Sequence, residues 1–70
     1  MNIPRNIKVD LNGNIVNARL VAMSKSGLAV LVDFYGIEEW IPTSQCDISD
    51  EEIVVQEWLA EKIKDKLGEV

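Results

Sequence analysis

The chain of 70 residues contains no histidine. That excludes a histidine-based triad, a proton shuttle and histidine metal ligation. Cys46 is the only cysteine, so neither an intrachain disulfide nor a cysteine metal cluster can form. Without a histidine to activate it, Cys46 reads as structural or incidental, not as a nucleophile. A lone thiol suits a reducing cytosol and argues against a disulfide-stapled secreted mini-protein. Met1-Asn2-Ile3-Pro4-Arg5 lacks the apolar core of a signal peptide. The longest apolar run, Leu28 to Val32, falls far short of the ~18 residues of a membrane span. A soluble, cytoplasmic protein is expected, with no membrane contact. Gly13, Gly27 and Gly36 each stand alone in turn-like segments, so Walker and dinucleotide glycine patterns are missing. No catalytic residue, metal site or cofactor emerges, and no enzyme is expected.

Positive charge is missing from the middle of the chain. Between Lys25 and Lys62 there is no lysine or arginine, while Asp33, Glu38, Glu39, Asp47, Asp50, Glu51, Glu52, Glu57 and Glu61 all fall there. Residues 1–32 have a balance of +3 and residues 33–70 a balance of −8. Such asymmetry suggests an oriented partner; its plainer reading is a solvated surface that keeps a small protein soluble. Adjacent strand residues point to opposite faces, so Glu38 and Glu39 cannot act together on one substrate. The Asp50-Glu51-Glu52 run lacks calcium-loop spacing.

What is present is a pattern of short strands. A chain this small buries only about 60% of its unfolded surface, which favours a shallow groove or a pocket shared by two copies over a deep cavity. Asn12-Gly13 is a strong hairpin signal, because both residues tolerate the positive φ of a type I′ turn. A two-residue loop there sets Leu11 opposite Asn14, Val9 opposite Val16 and Ile7 opposite Ala18. Strands are expected at about 6–11, 15–24, 28–34, 37–41 and 53–55, with a helix at about 56–67. The third, apolar on both faces until Asp33, reads as the central strand. Pro42 ends the fourth strand because it has no N–H to donate. Ser49 and Glu52 also fit a helix capping box, which would start one long helix at Asp50. The strand reading of Ile53-Val54-Val55 is preferred, because a barrel needs a closing partner and all three residues are β-branched. Val55, Trp58, Leu59, Ile63 and Leu67 form one helical stripe, and Gly68 is a C-terminal stop.

Trp40-Ile41-Pro42-x-Ser44-Gln45, followed by Val55-x-Glu57-Trp58-Leu59-Ala60-Glu61-Lys62, resembles a loose group of short proteins encoded by phages, prophages and other mobile elements. Their pattern runs W-I-P-K-S-Q and then I-P-E-W-L-A-E-K-K. The resemblance covers Leu28 to Lys62. It implies a mobile-element origin and a small barrel, and it supports the strand at 53–55. It departs at Thr43, where the group has lysine, and at Gln56, where it has proline. It transfers no functional residue.

The expected fold is mainly β, a small SH3-like five-stranded barrel with a C-terminal helix, as a monomer or homodimer. The expected function is non-enzymatic binding of a basic protein surface through the acidic second half, using Glu38, Glu39, Trp40, Asp50, Glu51 and Glu52. In its sharpest form these acids mimic phosphates and block a host nucleic-acid-binding protein. Trp40 has two readings, a partner-facing anchor or a core residue packed under the helix near Trp58. One alternative is a nucleic-acid-binding accessory factor using Arg5, Lys8, Arg19 and Lys25, although no aromatic lies within residues 1–33 to stack on bases. Another is a small-ligand sequestering protein with its pocket at a dimer seam.

Overall fold

Two turns of the same construction organise the sheet. The computed structural model describes residues 2–68, with side chains from Arg5 onward. Asn12 and Gly13 take φ of 55° and 96°, the left-handed values of a type I′ turn. The Gly13 N–H donates to the Asp10 carboxylate at 2.7 Å. Strands β1 (Asn2–Leu11) and β2 (Asn14–Met23) therefore pair in the register the turn demands, Leu11 opposite Asn14, Val9 opposite Val16 and Ile7 opposite Ala18.

Strands β3 (Ala29–Phe34) and β4 (Ile37–Pro42) repeat the device. Tyr35 and Gly36 also have φ of 55° and 96°, and the Gly36 N–H donates to the Asp33 carboxylate at 2.7 Å. The two turns share the pattern of the segments Asp10-Leu11-Asn12-Gly13 and Asp33-Phe34-Tyr35-Gly36. In each, the apolar second residue is wholly buried. Asparagine tolerates the left-handed region; a tyrosine there is unusual and strained. Tyr35→Asn should therefore raise stability by about 0.5–1 kcal/mol, or Tm by about 2–8 °C. A lower Tm by circular dichroism would show that the ring stabilises the fold.

The sheet order is β4-β3-β2-β1-β6-β5, with β5 at Cys46–Ile48 and β6 at Glu52–Val55. β6 runs parallel to β1 and antiparallel to β5. A single 3₁₀ turn, Thr43–Gln45, carries the chain from β4 to β5. The sheet curls into a half-barrel, and α1 (Glu57–Leu67) follows β6. The mainly β fold with a C-terminal helix matches expectation, but there are six strands and not five. The added strand is β5, whose three residues are too few for their alternation to announce a strand.

Residues 53–55 are strand, not helix. Ser49 closes the β5–β6 turn: its N–H donates to the Glu52 carbonyl at 2.8 Å, and its hydroxyl accepts the Glu52 N–H at 3.3 Å. The capping-box residues thus serve a hairpin. Nor is β3 the centre of the sheet. It lies next to edge strand β4, while β2 and β1 occupy interior positions.

The inner face carries the core. Ile7, Val9 and Leu11 meet Val16, Ala18 and Leu20, then Val30, Val32, Phe34 and Ile41 on one side and Ile53 and Val55 on the other. Ala60 and Ile63 of α1 are buried in this core, with Leu59 and Leu67 packed at its margin. The helical stripe is shifted from the expected one: Ala60 takes the inward place and Trp58 stays 54% exposed. The Trp58 indole N–H instead donates to the Gln45 side-chain oxygen at 3.0 Å, and the Lys62 ammonium lies 6.0 Å from the ring centroid. Gly68, at φ 88°, ends the helix with its N–H on the Asp65 carbonyl at 3.2 Å. Among the described residues no helix is long and apolar enough to cross a membrane.

Candidate functional site

Strand parity and register place the outer face without ambiguity. Side chains on directly opposed residues share a face. Trp40 is opposite Leu31, and Leu31 is opposite Ala22, giving an apolar row across β4, β3 and β2. The next row runs Glu38, Asp33, Arg19 and Asn6. Further along, Asn17 and Lys8 are opposed across β2 and β1, and Lys8 is level with Glu52 on β6.

Trp40 is 53% exposed. The reading that buries it under the helix beside Trp58 is overturned. Ile41 is opposite Val30 in the core, so its neighbour Trp40 must point outward. Ile37 is exposed at the start of this edge strand. Leu31 explains why β3 is apolar on both faces. Its second apolar face is only partly buried and lies beside Trp40, with no helix over it.

The acidic residues do not form one surface. Glu39 turns to the inner side, opposite Val32, and its carboxylate holds the Lys66 ammonium of α1 at 2.9 Å. It ties the helix to the sheet and is unavailable to a partner. Glu38 lies on the outer face of β4. Asp50 and Glu51 are exposed in the β5–β6 turn, and Glu52 is partly buried where β6 begins. Three strands, β3, β2 and β1, separate Glu38 from that turn, and Arg19 and Lys8 project between the two groups. The stretch without positive charge is continuous along the chain but interrupted in space.

The basic set is dispersed as well. Lys8 and Arg19 share the outer face of β1 and β2. Arg5 is opposite the core residue Leu20, on the inner side, and Lys25 sits in the turn between β2 and β3. Lys8 and Arg19 have no ion pair or hydrogen bond to a described side chain; the ion pairs among the described residues are Lys64–Glu61 and Lys66–Glu39.

An open groove of about 590 Å³ crosses this part of the outer face. Lys8 and Arg19 line its middle, with Asn6 and Asn17 beside them; Asp33 and Tyr35 stand at one end, Asp50 and Glu51 at the other. The backbone N–H of Lys8 donates to the Glu51 carbonyl at 3.0 Å, which holds the acidic turn against that end. The groove is lined by residues of a single copy of the chain. Tyr35, Asn6 and Asn17 were not singled out from the sequence. For Tyr35 the signal was present, since Asp-x-Tyr-Gly repeats the Asp-x-Asn-Gly of the first hairpin.

Cys46 is half-buried, and its thiol donates to the Pro42 carbonyl at 3.5 Å. Burial, then the neighbouring Asp47 carboxylate, pushes the thiol above its ordinary pKa. It is therefore a protonated thiol at neutral pH and a poor nucleophile. Among the described residues no three Cys, Asp or Glu side chains gather as a metal-ligand set. In comparisons with known proteins, no family model, no curated protein and no solved structure matches the chain.

Proposed function

We propose that this protein is a non-enzymatic module that binds a protein partner through the outer face of its sheet. The observation that carries the reading is Trp40: a large aromatic, half exposed on an edge strand, flanked by partly buried Leu31 and by exposed Glu38. Tryptophan in such a setting is a frequent interface anchor, because one rigid side chain removes a large apolar area from water. Pro42 and Glu38 discourage the open edge of β4 from pairing with another strand, so contact through side chains is favoured over strand addition. The fitting partner offers an apolar pocket for the indole and a basic group for Glu38.

The phosphate-mimic version of this function is less favoured, because Arg19 and Lys8 interrupt the acids and Glu39 is held by Lys66. In architecture we read the sheet as an SH3-like barrel left open between β4 and β5. The lone free cysteine suits the cytoplasm, where we place the protein, and the W-I-P-x-S-Q pattern suits a mobile-element origin.

Affinity capture tests the reading. Wild type, Trp40→Ser and Trp58→Ser are immobilised side by side and challenged with lysate of the producing cell. A protein retained by wild type and Trp58→Ser but lost with Trp40→Ser is the expected result. Equal retention by all three would overturn it.

A further inference from the structure

The groove on the outer face has an ordered charge pattern. Read across the sheet, it presents Asp33 on β3, Arg19 on β2, Lys8 on β1, and then Asp50 and Glu51 on the β5–β6 turn. The order is negative, positive, positive, negative. Five ionic groups sit around one open groove, yet none forms an ion pair with another described residue. The Asp33 carboxylate is directed to its own turn by the Gly36 N–H. Arg19 lies directly opposite Asp33, and Lys8 is level with Glu52, yet neither cation closes an ion pair with a described acid.

Tyr35 adds an independent observation. It occupies a left-handed position that the matching turn gives to Asn12, and its ring is 77% exposed. A large exposed ring in a strained conformation brings the fold little burial. Strain of this kind is often kept where a side chain meets a ligand. The ring stands at the Asp33 end of the groove, where a cation would meet both a carboxylate and an aromatic face.

The geometry points to an extended peptide segment of the partner, carrying one acidic side chain between two basic ones, as the occupant of this groove. The acid meets Arg19 and Lys8. One base meets Asp33 and the Tyr35 ring, and the other meets Asp50 and Glu51. Alternate residues of an extended chain point the same way, so the three charges fall at every second position. This inference rests on the reading of the outer face as a protein-binding surface and names what that surface recognises. A nucleic-acid strand fits less well, because its phosphates would meet three carboxylates as well as the two cations.

Three capped seven-residue glycine peptides test it. They carry lysine-glutamate-lysine, glutamate-lysine-glutamate or three lysines at their second, fourth and sixth positions. Each is titrated into the full-length protein and followed by chemical-shift perturbation, alongside a ten-nucleotide single strand. Wild type should prefer the lysine-glutamate-lysine peptide over its inverse by roughly ten-fold. In Lys8→Glu/Arg19→Glu the three-lysine peptide should become the tightest. The neutral pair Lys8→Gln/Arg19→Gln should abolish the preference, and it serves if charge reversal disturbs folding. Equal binding of all peptides, or a preference unmoved by both double variants, would overturn the inference. So would an oligonucleotide that binds more tightly than any peptide and is lost with Arg19 and Lys8. Trp40→Ser should leave the peptide preference intact. Capture that depends on Trp40 without any peptide preference would remove the groove assignment and leave the protein-binding reading standing. A peptide preference with capture indifferent to Trp40 would do the reverse.

Discussion

Phe34→Ala should remove about 3–5 kcal/mol of folding stability. Phe34 is the largest of the fully buried side chains, and it sits in the one core that joins the sheet to the helix. The loss combines the transfer energy of the ring with the cavity left behind, since neighbours across a hydrogen-bonded sheet relax only partly. A chain of this size has roughly 3.5–10 kcal/mol in total. The variant should therefore lose roughly a third or more of the total stability. Urea titration followed by circular dichroism checks this: the midpoint should fall by about 2 M or more, or no cooperative transition should remain. Phe34→Leu keeps most of the volume and should lose about 1.5 kcal/mol at most. An alanine variant with a midpoint within about 0.5 M of wild type would mean that Phe34 does not occupy the core as described.

The second large effect falls on binding and spares the fold. Trp40→Ser should weaken the captured partner by at least ~2 kcal/mol, or roughly thirty-fold in Kd. An anchor tryptophan contributes through the area it desolvates on the partner, and serine restores none of it. The same change should alter folding stability by less than about 0.5 kcal/mol, because Trp40 lies outside the core and half of it is already in water. That contrast separates an interface residue from a structural one. A Trp40→Ser variant that loses stability as a core variant does would return Trp40 to the architecture.

Much of the fold was legible because its devices are local. Asn12-Gly13 specifies its own backbone angles, those angles specify the loop length, and the loop length specifies the register of Ile7, Val9 and Leu11 against β2. Strand parity likewise placed Trp40 and Glu38 on one face and Ile41 on the other. Parity does not say which face is buried. That depends on Ile41 meeting Val30, a contact between strands. β5 was hidden for a related reason: Cys46-Asp47-Ile48 is too short for its alternation to signal a strand, and it is a strand because β6 offers it a partner.

The candidate site was legible only in pieces. Glu38, Asp50 and Glu51 are exposed, but the acidic surface inferred from the chain order does not survive folding. The sheet order inserts β1 and β2, with Lys8 and Arg19, between the elements that carry the acids. Glu39 was lost to the helix because Lys66 reaches back to it from a position 27 residues further along. Such a pairing belongs to tertiary structure and has no local signal. Tyr35 differs, since the repeated Asp-x-x-Gly turn stands in the sequence, and its left-handed backbone is what gives the repeat its meaning.

The two tryptophans provide the most direct test of where a partner binds. Each contributes one indole N–H signal to a nitrogen-edited NMR spectrum, and a Trp58→Phe variant assigns them. Trp40 is on the outer face of β4, whereas Trp58 is at the start of α1 with its N–H on Gln45. On addition of the captured partner, the Trp40 indole signal should shift or broaden while that of Trp58 stays in place. A Trp58 signal that moves while Trp40 remains unperturbed would contradict binding through the outer face of the sheet.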